Sequence, residues 1–378
     1  MKKVLMVASV ASMIDLFNMN NIQILQDLGY TVEVACNFQN GSITSGERVK
    51  VFKQELQERN VKYYDIPIPR SIAKVKDIYS SYSSLKKIIN DNKYKLIHCH
   101  SPIGGAIARI AARRKRKLNS LKVVYTAHGF HFFKGAKYKN WIIYYPVEKI
   151  LSSITDCLIT INEEDFHLAT NKLYAKDVRF IPGIGIDSEA FYNGYDKMKH
   201  DSSTFNLISI GQLSKRKNHE IVIRSIARMN NSLINYKIIG IGELESYLKN
   251  LVEELGLQNQ VSFLGFQENV AKYLSESDCF VFPSLQEGLP VSLMEAMAIP
   301  LPVICSKIRG NTDLIENMRG GILVDPSDEE EYIKAIMMLF ENRRLCYEYS
   351  KFNLWKIKEF DKNVVNKKMV NLYEDLLV

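Results

Sequence analysis

Two glutamates, Glu287 and Glu295, lie on either side of a predicted junction between a strand and a helix. The apolar run at residues 279–282 predicts a short buried strand, and Pro283 and Gly288 mark the loop that follows it. We therefore expect Glu287 on a loop at the carboxyl end of a strand, which is where ligands of α/β folds bind. Glu295 follows about a turn and a half into the next helix.

The start of that helix supplies a second group for the same chemistry. Pro290 suits the first helical position, because its missing N–H leaves no hydrogen bond unmade there. The free N–H groups of the first turn form an anion site between the two glutamates. A carboxylate beside a phosphate cradle can accept hydrogen bonds from ribose hydroxyls, which indicates a ribosylated diphosphate. Alternatively the two glutamates share no ligand, and spacing alone leaves both interpretations open.

Two further loops follow predicted strands. Gly211 and Gln212 lead into Lys215-Arg216-Lys217, and consecutive cations after a glycine turn suit a diphosphate, although a solvated loop has the same composition. The segment 239–245 contains Gly240-x-Gly242, but a glutamate stands at the third glycine position of the dinucleotide fingerprint. The sequence therefore excludes a nicotinamide site there, and leaves a tight turn or a helix start facing a ligand.

One histidine is placed where sites form. His128-Gly129 ends the predicted strand at residues 123–126, so the imidazole is expected at the carboxyl edge of a sheet. A lone histidine is more often structural. No Asp-x-Asp pair and no histidine–carboxylate cluster has metal-ligand spacing, so we expect no metal and no cofactor.

A basic segment at residues 109–117 has six cations in nine positions, close to a stretch of aromatic residues. Cations mixed with amphipathic aromatics favour an anionic membrane surface. Nucleic-acid binding uses similar residues, but the chain has no nucleic-acid module, and a solvated helix end is the third interpretation. The candidate membrane or acceptor residues are Arg113, Arg114, Lys115, Arg116, Lys117, Phe132, Phe133 and Trp141.

Strands and helices alternate along the chain, which predicts parallel sheets with right-handed crossovers. The predicted strands are residues 4–8, 32–35, 96–100, 123–126, 157–161 and 178–181, then 205–210, 236–239, 261–264, 279–282 and 302–305. A glycine-containing break at residues 182–187 separates the two groups. We predict domains at 1–185 and 186–359, with a cleft between the carboxyl ends of their sheets, and a C-terminal helix at 360–378 that packs back on the first domain.

The bulk composition is that of a globular protein of two domains: 378 residues, 46% hydrophobic and 24% charged. Residues 1–185 carry 28 Lys and Arg against 15 Asp and Glu, so an anionic partner is expected on the first half. The six cysteines are scattered, which suits a reducing cytosol. The first residues resemble a short signal peptide, but we interpret them as a first buried strand followed by a polar loop.

Taken together, these motifs resemble the retaining glycosyltransferases of family 4, which have the GT-B architecture of two facing Rossmann-like domains. The resemblance covers nearly the whole chain, and its most specific part is Glu287-x7-Glu295 in its Gly-Leu-Pro setting. Residues 126–148 are similar to the narrower group that builds capsular and exopolysaccharide repeat units. Two positions depart from the pattern: Gln212 replaces a frequent arginine, and Val10-Ala11 replaces a frequent glycine pair.

The resemblance implies a role for each of these residues. Lys217, helped by Arg216, would face the diphosphate of a nucleotide sugar, for which the resemblance implies UDP as the nucleotide, and Glu295 would hold the ribose. Glu287 and His128 would lie near the transferred sugar. The remaining donor-binding residues implied are Gly211, Gln212, Gly242, Gly288, Leu289 and Pro290.

The implied acceptor is a polyprenyl-diphosphate-linked saccharide, bound by the first domain at the inner face of the cell membrane. The implied enzyme is cytoplasmic and peripherally attached. Two alternatives stay open: a nucleotide-sugar 2-epimerase of the same architecture, which would need no acceptor, and a non-catalytic membrane-associated subunit. We expect no nucleic acid among the partners.

Overall fold

The computed structural model describes residues 2–40, 45–118, 120–193 and 203–377. The chain divides into two compact units, one formed by Met1–Ile184 with Val365–Val378 and the other by Gly185–Val364. Each unit contains one sheet, and every pairing between described strands is parallel. The predicted α/β class, with two Rossmann-like domains, is confirmed.

The N-terminal unit has a seven-stranded sheet. Its strands are β1 (Lys3–Val10), β2 (Thr31–Asn37), β3 (Lys62–Asp65), β4 (Tyr94–His100), β5 (Lys122–Ala127), β6 (Cys157–Thr160) and β7 (Asp177–Phe180). They lie in the order β3-β2-β1-β4-β5-β6-β7. The helices are α1 (Ala11–Phe17), α2 (Met19–Asp27), α3 (Gly46–Glu58), α4 (Val75–Asp91), α5 (Pro102–Lys117), α6 (Tyr138–Ser152) and α7 (Glu163–Lys172).

Strand β1 is the centre of this unit, and its residues from Val4 to Ala8 are fully buried. The polar loop predicted after residue 8 is wrong, because the strand continues to Val10 and α1 begins at Ala11. The chain's last helix, α16 (Lys362–Leu377), adds Val365 and Met369 to the same core as β1.

The C-terminal unit has a six-stranded sheet. Its strands are β8 (Phe205–Ile210), β9 (Ile234–Ile239), β10 (Val261–Phe263), β11 (Cys279–Phe282), β12 (Val303–Ser306) and β13 (Gly321–Val324), in the order β10-β9-β8-β11-β12-β13. The helices are α8 (Ser188–Asn193), α9 (His219–Met229), α10 (Glu245–Glu254), α11 (Val270–Ser275), α12 (Val291–Ala298), α13 (Asn311–Leu314), α14 (Glu329–Glu341) and α15 (Arg343–Lys356), with a 3-10 helix at Ile357–Phe360.

The strand order reverses once in each sheet, between β1 and β4 and between β8 and β11. Crossovers leave such a switch point in opposite directions, so a crevice opens there at the carboxyl ends of the strands. The loops after β8 and β11 contain most of the predicted donor residues, Gly242 follows β9, and Glu295 lies in α12. The loops after β1 and β4 line the same pocket as His128.

No helix in the described part of the chain combines the length and the apolar character needed to cross a membrane. All six cysteines are free, and five of them are buried.

Candidate functional site

An ion-pair cluster joins the two loops at the switch point of the C-terminal unit. The Lys217 Nζ lies 2.8 Å from the Glu287 Oε1, and the Arg216 Nη1 lies 2.6 Å from the same oxygen. The two loops are also joined by their backbones, because the Leu285 N–H donates to the Arg216 carbonyl over 2.8 Å. The two residues predicted to face a diphosphate therefore share a carboxylate with the residue predicted to lie near the sugar.

Lys217 is the buried member of this cluster, with a residue exposure of 8%. Its ammonium group lies 4.3 Å from the centre of the Phe282 ring. Burial lowers the pKa of Lys217, and the neighbouring Arg216 charge lowers it too, while Glu287 opposes both. The side chain of Arg216 is far more open, at 45% exposure. Lys217 is thus a fixed, poorly solvated cation, and such a group binds a second anion strongly.

Glu295 lies in the second turn of α12, with Pro290 as the N-cap residue rather than the first helical residue, so the helix begins one residue later than predicted. Proline at the N-cap still leaves the N–H groups of Val291 and Ser292 at the free end of the helix. Burial raises the pKa of Glu295 to about 7. A carboxyl group that is desolvated to this degree is characteristic of a binding site.

Two buried hydroxyls near the cluster have no hydrogen-bond partner within the described residues. They are the Ser214 Oγ, in the loop after β8, and the Ser284 Oγ, in the loop after β11. An unpaired buried hydroxyl costs about 1–3 kcal/mol, so its retention calls for a partner such as a ligand or an ordered water.

The segment after β12 was missed from the sequence. The Arg309 Nε donates to the Glu287 carbonyl over 3.2 Å, so this segment is hydrogen-bonded to the loop after β11. Gly310 has a φ of 78°, and a Cβ there would lie 2.3 Å from the Gly288 carbonyl oxygen. The sequence signal that could have predicted this contact was the Arg309-Gly310 dipeptide, which follows a predicted strand.

The glycines of the segment 239–245 make close backbone contacts with the loop after β8. A Cβ on Gly240 would lie 1.9 Å from the Gly211 carbonyl oxygen, and one on Gly242 would lie 2.3 Å from the Leu213 carbonyl oxygen. Gly240 also has a φ of 144°. These glycines therefore let two loops pack together, as the tight-turn interpretation requires, and the donor role predicted for Gly242 stays a prediction.

In the N-terminal unit, His128 belongs to a cluster of three histidines. The His128 Nε2 lies 3.2 Å from the His100 Nδ1, and the ring of His100 lies 4.3 Å from that of His98. Burial lowers the pKa of His128 to about 4, so its imidazole is neutral at pH 7. His98 and His100 are two residues apart on β4, so their side chains lie on the same face of the sheet. This spacing was the sequence signal that could have predicted the cluster.

A pocket of about 560 Å³ opens beside this cluster. Its polar lining comes from the ends of β1 and β4 and from neighbouring loops: Ser9, Ser12, Arg70, Ser101, His128 and His131. Hydroxyls, imidazoles and a guanidinium are groups that can bind the hydroxyls of a sugar or a phosphate.

The basic segment of α5 is less exposed than predicted. The Lys115 Nζ donates to three carbonyls at the end of α4, from Ile89, Asn90 and Asn92, and the Arg116 Nε lies 2.9 Å from an Asp156 oxygen. Arg113, Arg114 and Lys117 are exposed. Lys115 and Arg116 are half-buried and bind acceptors within the unit, so only Arg113, Arg114 and Lys117 remain as exposed cations of the predicted membrane or acceptor surface.

The aromatic residues also divide between core and surface. Phe132 is 2% exposed and packs against Trp141 and Tyr145, so it belongs to the core and not to the outer surface, and it also lines an apolar groove of this unit. Phe133 and Trp141 are half-buried. Arg109 is fully buried and makes a bidentate ion pair with Glu148, with N–O distances of 2.5 and 3.0 Å.

Helix α6 has apolar residues on two faces. Trp141, Tyr145 and Leu151 lie against the unit, whereas the opposite stripe is exposed. The exposed stripe, at intervals of four residues, consists of Tyr138, Ile142, Pro146 and Ile150. Three of these, Tyr138, Ile142 and Ile150, are 60–80% exposed.

Among the described residues, no three or more His, Cys, Asp or Glu side chains are grouped so that they could hold a metal ion.

Comparison with known proteins identifies the family. Residues 196–353 match the family model for glycosyl transferases group 1, and residues 3–162 match the glycosyl transferase 4-like model. The chain is 33% identical over 356 residues to the putative glycosyltransferase EpsD of Bacillus subtilis, covering 91% of this chain and 89% of EpsD. It is also 31% identical over 305 residues, 76% of each chain, to the UDP-Gal:alpha-D-GlcNAc-diphosphoundecaprenol alpha-1,3-galactosyltransferase of Escherichia coli.

The fold has close counterparts among solved structures. Alr3699/HepE of Anabaena, solved in complex with UDP, superposes with a TM-score of 0.75 at 17% identity, covering 99% of this chain and 100% of that one. At this identity the likeness concerns the fold, which is GT-B. With matches in both halves and EpsD similar over nearly the full length, the chain belongs to the family 4 glycosyltransferases of polysaccharide biosynthesis.

Proposed function

We propose that this glycosyltransferase moves a sugar from a UDP-sugar to a lipid-linked saccharide acceptor, with retention of anomeric configuration, in the synthesis of a bacterial capsule or exopolysaccharide. The observation that carries the proposal is the cluster of Lys217, Arg216 and Glu287 beside the N-terminus of α12. It combines two cations, free helix N–H groups and, one turn further on, the half-buried carboxyl of Glu295.

The diphosphate of the donor would bind between Lys217 and the start of α12. A phosphate there gains a fixed ammonium group and N–H donors that already point outward. The ammonium group and the helix N–H groups are already oriented, so they stabilise the negative charge that builds up on the leaving diphosphate without rearranging. The residues of the predicted donor site that would approach it through backbone are Gly211, Gln212, Gly242, Gly288, Leu289 and Pro290.

The nucleoside part of the donor would extend along α12 to Glu295. Ribose hydroxyls donate hydrogen bonds, so they favour the ionised form of this carboxyl group. The bound nucleotide would thereby lower the pKa of Glu295 from about 7. UDP is the nucleotide bound by Alr3699/HepE and the one named for the Escherichia coli relative, which supports it as the carrier here.

Glu287 has a different task. Its carboxylate neutralises Lys217 and Arg216, which both contact one of its two oxygens. When the diphosphate takes over these cations, the carboxylate is free to face the sugar, whose carbon becomes oxocarbenium-like as the leaving group departs. His128, with its neutral imidazole, is proposed as a hydrogen-bonding partner of the sugar.

The N-terminal unit would bind the acceptor in the 560 Å³ pocket beside His128. The names of two relatives, from Escherichia coli and Campylobacter jejuni, describe acceptors carried on diphosphoundecaprenol. The exposed apolar stripe of α6, with the nearby cations Lys137 and Lys139, would rest on an anionic membrane. We propose peripheral attachment at the inner face of the cell membrane.

A donor panel tests this proposal. Nucleotide sugars are incubated singly with a saccharide linked to undecaprenyl diphosphate, and the lipid product is followed by mass and by the anomeric coupling constant. One UDP-sugar is expected to add one sugar with the donor's configuration, and no metal is expected to be needed. Failure of every donor to transfer would refute the proposal, and isomerisation of a donor without acceptor would indicate an epimerase.

A further inference from the structure

An apolar groove runs along the N-terminal unit between α5, α6 and the segment before α4. Its volume is about 260 Å³, and Ala106 and Ile107 of α5 line it. Three aliphatic side chains of the groove are themselves largely exposed: Ile110 at 47%, Ile143 at 47% and Val147 at 52%. Exposed apolar residues that line one groove, rather than being scattered, indicate a binding surface.

The groove is continuous with the polar pocket of the same unit. The two share a wall made by Pro102, Ile103, Tyr125 and Tyr144. Beyond this wall the lining changes from aliphatic carbon to hydroxyls and imidazoles, including Ser9 and His128. A single molecule that fills both spaces must therefore have a polar end joined to an apolar chain.

The surroundings of the groove favour a lipid as the source of that chain. Ile110 stands one turn before the exposed cations Arg113 and Arg114 on α5, and the groove residues of α6 adjoin the helix's exposed apolar stripe. Apolar side chains flanked by cations match the boundary between acyl chains and anionic headgroups.

We propose that this groove binds the first isoprene units of the acceptor's lipid, next to its diphosphate, while the saccharide occupies the polar pocket. The inference rests on the proposed function, because that function supplies a prenyl-linked acceptor. The groove's 260 Å³ is slightly below the about 300 Å³ at which small-molecule pockets begin. It therefore holds a short stretch of the chain, and the remainder stays in the bilayer.

The length of the prenyl chain is the variable that tests the groove. We would titrate N-acetylglucosamine diphosphate carrying a dimethylallyl, geranyl or geranylgeranyl chain into the full enzyme by calorimetry, with UDP in saturating excess so that the donor site is filled. The Kd is expected to fall at least about tenfold from dimethylallyl to geranyl, since each unit buries several methylene-sized groups. Little further change is expected for geranylgeranyl.

Variants distinguish binding in the groove from nonspecific hydrophobic association. Ala106→Trp fills the groove without adding charge, and Val147→Asn makes its exposed rim polar with little risk to folding. Both are expected to remove most of the dependence on chain length. Ile150→Asn, on the exposed stripe outside the groove, is the matched control and should keep it.

The outcomes are distinct. A Kd in the unaltered enzyme that is the same for all three chains overturns the inference, as does a dependence that survives in both groove variants or disappears equally in Ile150→Asn. Each of these results leaves UDP binding intact. Failure of the proposed function would instead appear in the first titration, as the absence of UDP binding.

Discussion

Replacing Glu295 with glutamine is expected to stabilise the C-terminal unit while it weakens nucleotide binding. Burial raises the pKa of this carboxyl group from 4.5 to about 7. At about 1.4 kcal/mol per pKa unit, keeping the carboxylate ionised in the folded chain costs about 3 kcal/mol above pH 7. Glutamine has nearly the same shape and carries no charge, so the variant escapes this cost.

The pH dependence of this stability difference follows from proton binding to Glu295. Between pH 4.5 and pH 7 the folded chain keeps a proton on Glu295 that the unfolded chain releases. The stability contributed by the raised pKa is therefore present below pH 4.5 and is lost as the pH rises through about 7. The free energy of unfolding of Glu295→Gln, relative to the unaltered chain, should increase by about 2 kcal/mol between pH 5 and pH 8.

Fluorescence can follow the correct unit, because the chain has two tryptophans. Trp141 belongs to the N-terminal unit and Trp355 to the C-terminal unit. Urea titrations in a Trp141→Phe background, at pH 5 and pH 8, would report on the unit that contains Glu295. Glu254→Gln, at an exposed position of α10, is the control and should show no pH-dependent gap. The reasoning would be refuted if the difference in free energy of unfolding between Glu295→Gln and the unaltered chain changed by less than about 0.5 kcal/mol from pH 5 to pH 8.

Three further predictions concern other contacts. Glu287→Gln leaves the buried Lys217 without its carboxylate and should destabilise the chain by about 3 kcal/mol; UDP should then raise its Tm more than that of the unaltered chain, and an equal rise would contradict the competition between Glu287 and diphosphate. Arg109→Met should cost about 3–5 kcal/mol in urea titrations because Glu148 stays buried, whereas Arg109→Met with Glu148→Leu should recover most of it; additive losses would argue against the pair. Gly240→Ala should disrupt the packing of the donor loops and abolish UDP binding, since its Cβ would lie 1.9 Å from a carbonyl oxygen, and normal UDP affinity would contradict this.

Most of the fold could be predicted because buried parallel strands are continuous apolar runs. The predicted strand at residues 205–210 coincides with β8, and that at 279–282 coincides with β11. β3 and β13 were missed, since β3 is a four-residue edge strand of Lys-Tyr-Tyr-Asp that is not buried, and β13 begins with glycine. Local periodicity carries little signal for strands of this kind.

The candidate site was predictable only as a set of strand ends. Sequence placed Lys217 and Glu287 on two loops, but their ion pair depends on strand order, which puts β8 beside β11. The contacts of Lys115 and Arg116 within the unit likewise depend on acceptors distant in sequence, such as Asp156. A run of cations has the same sequence pattern whether its side chains are solvated or bind acceptors elsewhere in the protein.

Calorimetric titration of UDP is the most direct test of the central claim, that the C-terminal unit holds the nucleotide sugar at Lys217 and Glu295. UDP is expected to bind the unaltered enzyme, and Lys217→Ala and Glu295→Ala should each abolish measurable binding. Lys249→Ala, which removes an exposed cation paired with Glu245 on α10, should bind UDP normally. Unchanged UDP affinity in both site variants would contradict the account.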